Sequence, residues 1–193
     1  YRKFWTTGDF ENHELSMNKI KSIALKEIPS NFQDCEVILG KPFYVNQRRI
    51  SKFLKKGFKM VIKNPAILFN ENSRNLKFHF DLMHGQNNLN KAIDLLDNEN
   101  KKDFQDYMDN NYYFHPHNMF ICKSKNILVK YYETIFPWLE RCESLFGFKN
   151  LKGYDLTRIY GFLAERFLSY WFVKNTKYKT MNITFYDISV HKR

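Results

Sequence analysis

Two short stretches hold most of the side chains that could do chemistry. The first, "YYFHPHNMFICKS" at 112–124, sets His115, His117 and Asn118 around Pro116 at the mouth of an apolar run. A buried strand needs no such cluster, whereas the end of a strand is the usual address for ligands on an open α/β sheet. There the imidazoles and the amide would hydrogen-bond a polar substrate. An H-x-H pair can also supply two metal ligands, but no third ligand stands nearby in sequence, so the case for zinc is weak. The plain structural alternative is a polar turn fixed by Pro116.

The second stretch lies in "DLTRIYGFLAERFLSYWFVKN", which reads as a helix starting at Asp155. Its apolar residues fall nearly all round, so the helix should be buried on most of its surface. Arg158, Glu165 and Arg166 sit inside it nonetheless. Helical spacing puts 158, 161 and 165 close to one face, with Gly161 leaving room between Arg158 and Glu165. A buried charge must be paired or hydrogen-bonded. One reading is therefore a structural ion-pair network; the other is a charge facing a cleft, where it handles a sugar hydroxyl or a phosphate. Cys122 lies within an apolar run and reads as a small core residue, not a nucleophile. The nucleophile-elbow, P-loop, dinucleotide and zincin signatures are all absent from the sequence.

The elements that must position these groups can be read from periodicity and punctuation. A helix is expected over 16–28, capped by Ser16 and stopped by Pro29. A short buried strand follows at 35–39, ended by Gly40 and Pro42. Residues 77–85 read as a helix closing at Gly85, and 88–111 as two short helices broken near Asn98. Residues 118–123 form a strand, and a long helix begins near Lys125, where Pro137 should kink or restart it. "MNITFYDI" is the last strand. Helices alternating with a few short strands indicate an α/β chain with a mixed sheet, in one domain over 1–193.

Composition narrows the partners. The 193 residues carry 31 Lys and Arg against 20 Asp and Glu, a net charge of +11. That favours anionic partners: nucleic acid, acidic lipid headgroups or a phosphorylated substrate. Much of the excess lies in "NQRRISKFLKKGFKMVIKN" at 46–64, where basic residues interleave with Ile50, Phe53, Leu54, Phe58 and Val61. Such a stretch suits an anionic membrane surface, or is a solvated helix face in a generally basic protein. No nucleic-acid-binding module is recognisable, so RNA binding would rest on charge alone. No apolar run is long enough to span a membrane, no signal peptide is recognisable, and three scattered cysteines fit a reducing compartment.

Taken in order, "YRKFW", "DCEVILGKP", "LMHGQNNLNKAIDLL", "YYFHPHNMFICKS", "YYETIFPWLERCE" and "RIYGFLAERFLSYWF" resemble a bacterial family of predicted glycosyltransferases, long a domain of unknown function. That family is associated with capsule and lipopolysaccharide biosynthesis. Its members carry a His-Tyr-Arg-Arg segment, an "NMFI" strand and a closing "GFL(A/S)ER" helix. Tyr1 and Arg2 match the first, with Lys3 replacing the second Arg; Asn118–Ile121 match the second and Gly161–Arg166 the third. The stretch from Arg48 to Ser73 looks like a local elaboration of the pattern.

The resemblance implies a GT-A-like mixed sheet flanked by helices, of which this chain looks like the C-terminal, acceptor-side half. It implies a cytoplasmic enzyme, peripheral on the inner membrane face, that moves a sugar from a nucleotide-diphosphate donor to a glycan or lipid-linked acceptor. Such transfer must neutralise a leaving diphosphate and remove a proton from the acceptor hydroxyl. Many GT-A enzymes use a manganese or magnesium ion held by Asp-x-Asp, and this sequence has no Asp-x-Asp. On this reading Arg2 and Lys3 supply positive charge near the diphosphate, and Tyr1, His115, His117, Asn118 and Arg158 contact substrate. Glu165 is the first choice of general base and Asp9 the second. A divalent cation would be held by residues outside the chain, with His115 or His117 assisting. The competing expectation is a non-enzymatic basic module that binds an anionic membrane or polysaccharide.

Overall fold

The structure is a computed structural model that describes residues 2–6, 8, 16–47, 58, 61–62, 65–149 and 151–186. Its strands are β1 (Arg2–Thr6), β2 (Val37–Gly40), β3 (Phe43–Tyr44), β4 (Tyr113–Phe114), β5 (Phe120–Cys122) and β6 (Tyr178–Tyr186). The described helices are α1 (Met17–Ile23), α2 (Ala66–Phe69), α3 (Leu76–His84), α4 (Asn88–Asp94), α5 (Asn98–Asn110), α6 (Lys125–Phe146), α7 (Tyr154–Thr157) and α8 (Ile159–Asn175). The chain is α/β, with a curled mixed sheet flanked by helices.

Strand β6 organises the sheet, whose order is β1-β6-β2-β5. Its sequence, YKTMNITFY, is rich in the aromatic and β-branched residues that suit a pleated surface. The first half of β6 runs parallel to β2, with Val37 opposite Tyr178 and Gly40 opposite Met181. Its second half pairs antiparallel with β1, with Lys3 opposite Phe185. On the other side of β2, β5 pairs antiparallel, placing Val37 opposite Cys122. A separate two-stranded pair joins β3 to β4.

The core lies where α8 packs against α6 and α5. Phe104, Trp138 and Phe167 are fully buried, and their rings meet at 5.0–5.8 Å between centroids. Trp138 satisfies its indole by donating Nε1–H to the Ala92 carbonyl at 2.7 Å. The buried Arg74 is anchored by three backbone carbonyls, of Ile67, Asn46 and Leu68. A guanidinium used this way ties the connection before α3 to its neighbours.

Three sequence expectations are corrected and one is narrowed. The helix expected over 16–28 does begin at its Ser16 cap but ends at Ile23, because Ala24 bridges Thr6 and the Leu25 N–H donates to Trp5 O. Edge-strand β1 offers these backbone groups, and pairing with them wins over continuing the helix. Of the kink or restart expected at Pro137, there is no restart: α6 runs through it, with Tyr131, Ile135, Trp138 and Cys142 buried along its length. The helix expected from Asp155 is broken at Arg158, whose φ of −110° and ψ of 16° separate α7 from α8. The strand expected over 118–123 is only Phe120–Cys122, since Asn118 is left-handed. Of the basic stretch at 46–64, residues 48–57, 59–60 and 63–64 lie outside the described residues.

Candidate functional site

The turn His115-Pro116-His117-Asn118 leads from β4 into β5 against the side of α8. His117 has φ of +85° and Asn118 +51°. Both are left-handed conformations that non-glycine residues adopt at a cost of about 1–3 kcal/mol, so something must hold them. Two hydrogen bonds do so. The His117 N–H donates to Glu165 Oε1 at 2.5 Å, and the Asn118 side-chain amide donates to the Gly161 carbonyl at 2.8 Å.

Glu165 faces two ways. While Oε1 receives the turn, Oε2 accepts from Arg166 Nη1 at 2.6 Å. Arg166 is 2% exposed and Glu165 13%, so the pair is nearly dry. The guanidinium also lies 3.5 Å from the Phe114 ring centroid, and its Nη2 donates to His79 Nδ1 at 3.4 Å. The charges in α8 are therefore paired, as a buried charge requires. The partner of Glu165 is Arg166, not Arg158. Each carboxylate oxygen retains a second lone pair for another donor.

On the other side of the turn, Lys3 Nζ donates to His117 Nδ1 at 3.0 Å. An ammonium only donates, so Nδ1 is the acceptor and the neutral ring carries its proton on Nε2. Burial, then the Lys3 charge, bring the His117 pKa down to about 4, with Glu165 opposing. Its ring meets Phe185 edge-on at 4.7 Å. Lys3, His117, Glu165 and Arg166 thus form a continuous polar chain from β1 to α8.

The other candidates fall differently. His115 is 1% exposed; its Nδ1–H donates to Gly40 O at 2.6 Å and its backbone N–H to Ser169 Oγ at 2.7 Å. Burial pushes its pKa down, and it lines neither cleft described below, so it ties β4 to β2 and α8. Arg158 lies over the rings of Tyr154 and Phe162 and donates to the Tyr154 hydroxyl. Arg2 is placed by its backbone on β1, opposite Tyr186. Tyr1 and Asp9 lie outside the described residues. Burial pushes the Cys142 thiol up to about 12, which removes it as a nucleophile at neutral pH.

A cleft of about 310 Å³ opens beside Glu165. Helix α3 contributes His79, Met83 and His84, and the β3–β4 pair contributes Phe43 and Phe114. Pro116, His117, Tyr154, Asp155, Phe162, Glu165 and Arg166 complete the lining. Within it His84 stacks on Phe162 at 4.0 Å. The sequence reading missed Phe43, His79, His84, Tyr154 and Asp155, because they come from three separate segments and carry no motif. Only the break at Arg158, which turns α7 toward α3, brings Tyr154 and Asp155 in. Among the described residues no group of three His, Cys, Asp or Glu side chains is disposed to hold a metal ion. Nδ1 of His115 is engaged by the Gly40 carbonyl and Nδ1 of His117 by Lys3.

Residues 1–176 match a family described as a domain of unknown function, DUF4422. The chain belongs to the DUF4422 family. No curated protein and no solved structure matches it. The DUF4422 region contains every residue of the polar chain and every residue of the cleft, whereas strand β6 lies just past its end. Among the described residues of this DUF4422 chain, no helix is long and apolar enough to cross a membrane.

Proposed function

We propose that this chain is the acceptor-side part of a GT-A-like, nucleotide-sugar-dependent glycosyltransferase of bacterial surface-polysaccharide synthesis, acting at the cytoplasmic face of the membrane. The observation that carries the reading is the position of Glu165. A carboxylate clamped by the His117 N–H and Arg166 borders a cleft walled by aromatic rings. Rings that cover an apolar face, beside a few fixed polar groups, make the kind of lining that binds a sugar.

In this mechanism the acceptor hydroxyl oxygen attacks the anomeric carbon of the donor sugar. The bond from that carbon to the diphosphate oxygen breaks, and its electron pair leaves with the diphosphate. Glu165 takes the hydroxyl proton on a lone pair not used by His117 or Arg166. Lys3, already held at His117, supplies positive charge toward the leaving group. His117, neutral with its proton on Nε2, can donate a hydrogen bond to substrate without adding charge.

The test is turnover of nucleotide sugars by the full enzyme that contains this part, wild type against Glu165→Gln, which keeps the shape of the side chain and loses the base. Loss of transfer with retained folding supports the proposal. Normal turnover in the variant removes Glu165 from the base role.

A further inference from the structure

His117 and Pro116 are shared by two clefts, which differ in charge. The aromatic cleft carries two carboxylates, Asp155 and Glu165, against one guanidinium, Arg166. Counting Arg158 at its rim brings the balance only to zero. In a chain of net charge +11, a site without positive excess is a local exception. The second cleft, about 180 Å³, is lined by Gly40, Lys41, His117, Asn182 and Thr184 and, among the described residues, includes no carboxylate. Lys3 reaches the same histidine from β1.

We infer that the aromatic cleft binds a neutral pyranose, the acceptor sugar of the proposed transfer, while the anionic donor lies across His117 on the Lys3 and Lys41 side. The term acceptor rests on the transferase reading; the neutral pyranose rests on the lining alone. A pyranose has an apolar face of C–H groups and an edge of hydroxyls. Tyr154, 61% exposed, and Phe43, 38% exposed, present ring surface at this cleft. Ionised carboxylates accept hydrogen bonds and never donate, so Asp155 and Glu165 suit hydroxyl donors and repel phosphate. The volume suits one sugar ring, being near the small end of ligand pockets at roughly 300 Å³. A diphosphate placed here would meet two carboxylates and gain no net positive field.

The experiment is ligand-observed saturation-transfer NMR on the whole chain. The probes are methyl glycosides of glucose, galactose, mannose and N-acetylglucosamine, then glucuronic acid, UMP and inorganic pyrophosphate. At least one neutral glycoside is expected to bind and to resist displacement by pyrophosphate. Tyr154→Ala should weaken it by about fivefold or more, and Tyr154→Phe should restore it. Pyrophosphate binding should fall in Lys41→Ala and not in Tyr154→Ala. The exposure of Tyr154 keeps its truncation out of the core, and Asp155→Asn gives a second variant should it unfold. Displacement of the glycoside by UMP or pyrophosphate overturns the inference, as does failure of every neutral glycoside to bind. Glycoside binding without nucleotide-sugar turnover would leave the inference standing and remove the transferase. Turnover with glycoside binding indifferent to Tyr154→Ala and Asp155→Asn would remove the inference alone.

Discussion

The backbone N–H of His117 and the carboxylate of Glu165, 48 positions apart in the chain, meet at 2.5 Å. One hydrogen bond therefore joins the strained turn to the helix that carries the candidate base. The same carboxylate neutralises Arg166, so turn, base and buried cation stand or fall together.

Replacing Glu165 separates those roles. Glu165→Gln keeps an acceptor for the His117 N–H but leaves the Arg166 guanidinium without its carboxylate. Stability should fall by roughly 1–3 kcal/mol, the scale of a hydrogen bond to a charged group. Transfer should fall by roughly 10²–10⁴-fold, the usual contribution of general base catalysis. Urea melts and initial rates on the same preparation distinguish the two effects.

Asn118 tests the strain of the turn. With φ of +51°, it suits Asn or Gly and opposes β-branched residues. Asn118→Val should cost about 1–3 kcal/mol from backbone strain, and it also removes the hydrogen bond to the Gly161 carbonyl. Asn118→Gly removes the same hydrogen bond without the strain and should unfold at a clearly higher denaturant concentration than the valine variant. Equal midpoints would contradict the left-handed turn.

The pH dependence has a defined sign. His117 titrates at 6.5 when unfolded and at about 4 in the fold. Between those values the unfolded state binds the extra proton, so stability rises with pH and is lost as pH falls from 6.5 toward 4. His115, also depressed by burial, acts in the same direction. Urea midpoints measured across this window should climb with pH, and His117→Gln should flatten the climb. A flat wild-type profile would contradict a neutral, Lys3-bound His117.

The core prediction is independent of function. Phe167 meets Phe104, Trp138 and Tyr170 from the centre of α8. Phe167→Ala should destabilise by about 3–5 kcal/mol, the range for a large buried ring. A smaller loss, measured by chemical denaturation, would mean that α8 is not the core helix.

Local grammar made parts of this architecture legible. Ser16 caps α1, Gly85 closes α3 with φ of +92°, and the break near Asn98 falls between α4 and α5, all signals confined to a few residues. The cluster at 115–118 was visible as polar residues at a strand mouth. Its division of labour was not, since the sequence cannot tell that His115 turns inward to Gly40 while His117 turns toward Lys3. Helical periodicity also misled at Arg158. A one-residue break undoes the shared face with Glu165, and the neighbour at 166 takes the ion pair. The cleft escaped sequence reading because long-range packing, not spacing, gathers α3, the β3–β4 pair and α7 around α8.

The most direct measurement is single-turnover transfer from UDP-, GDP- and dTDP-sugars to a glycan acceptor by the full enzyme that contains this acceptor-side part, run in parallel on wild type and Glu165→Gln. The account predicts that one donor class supports transfer in the wild type, and that the variant still binds that donor but transfers roughly 10²-fold more slowly or worse. Transfer by the variant at the wild-type rate, or no donor binding or transfer by the folded wild type, would contradict it.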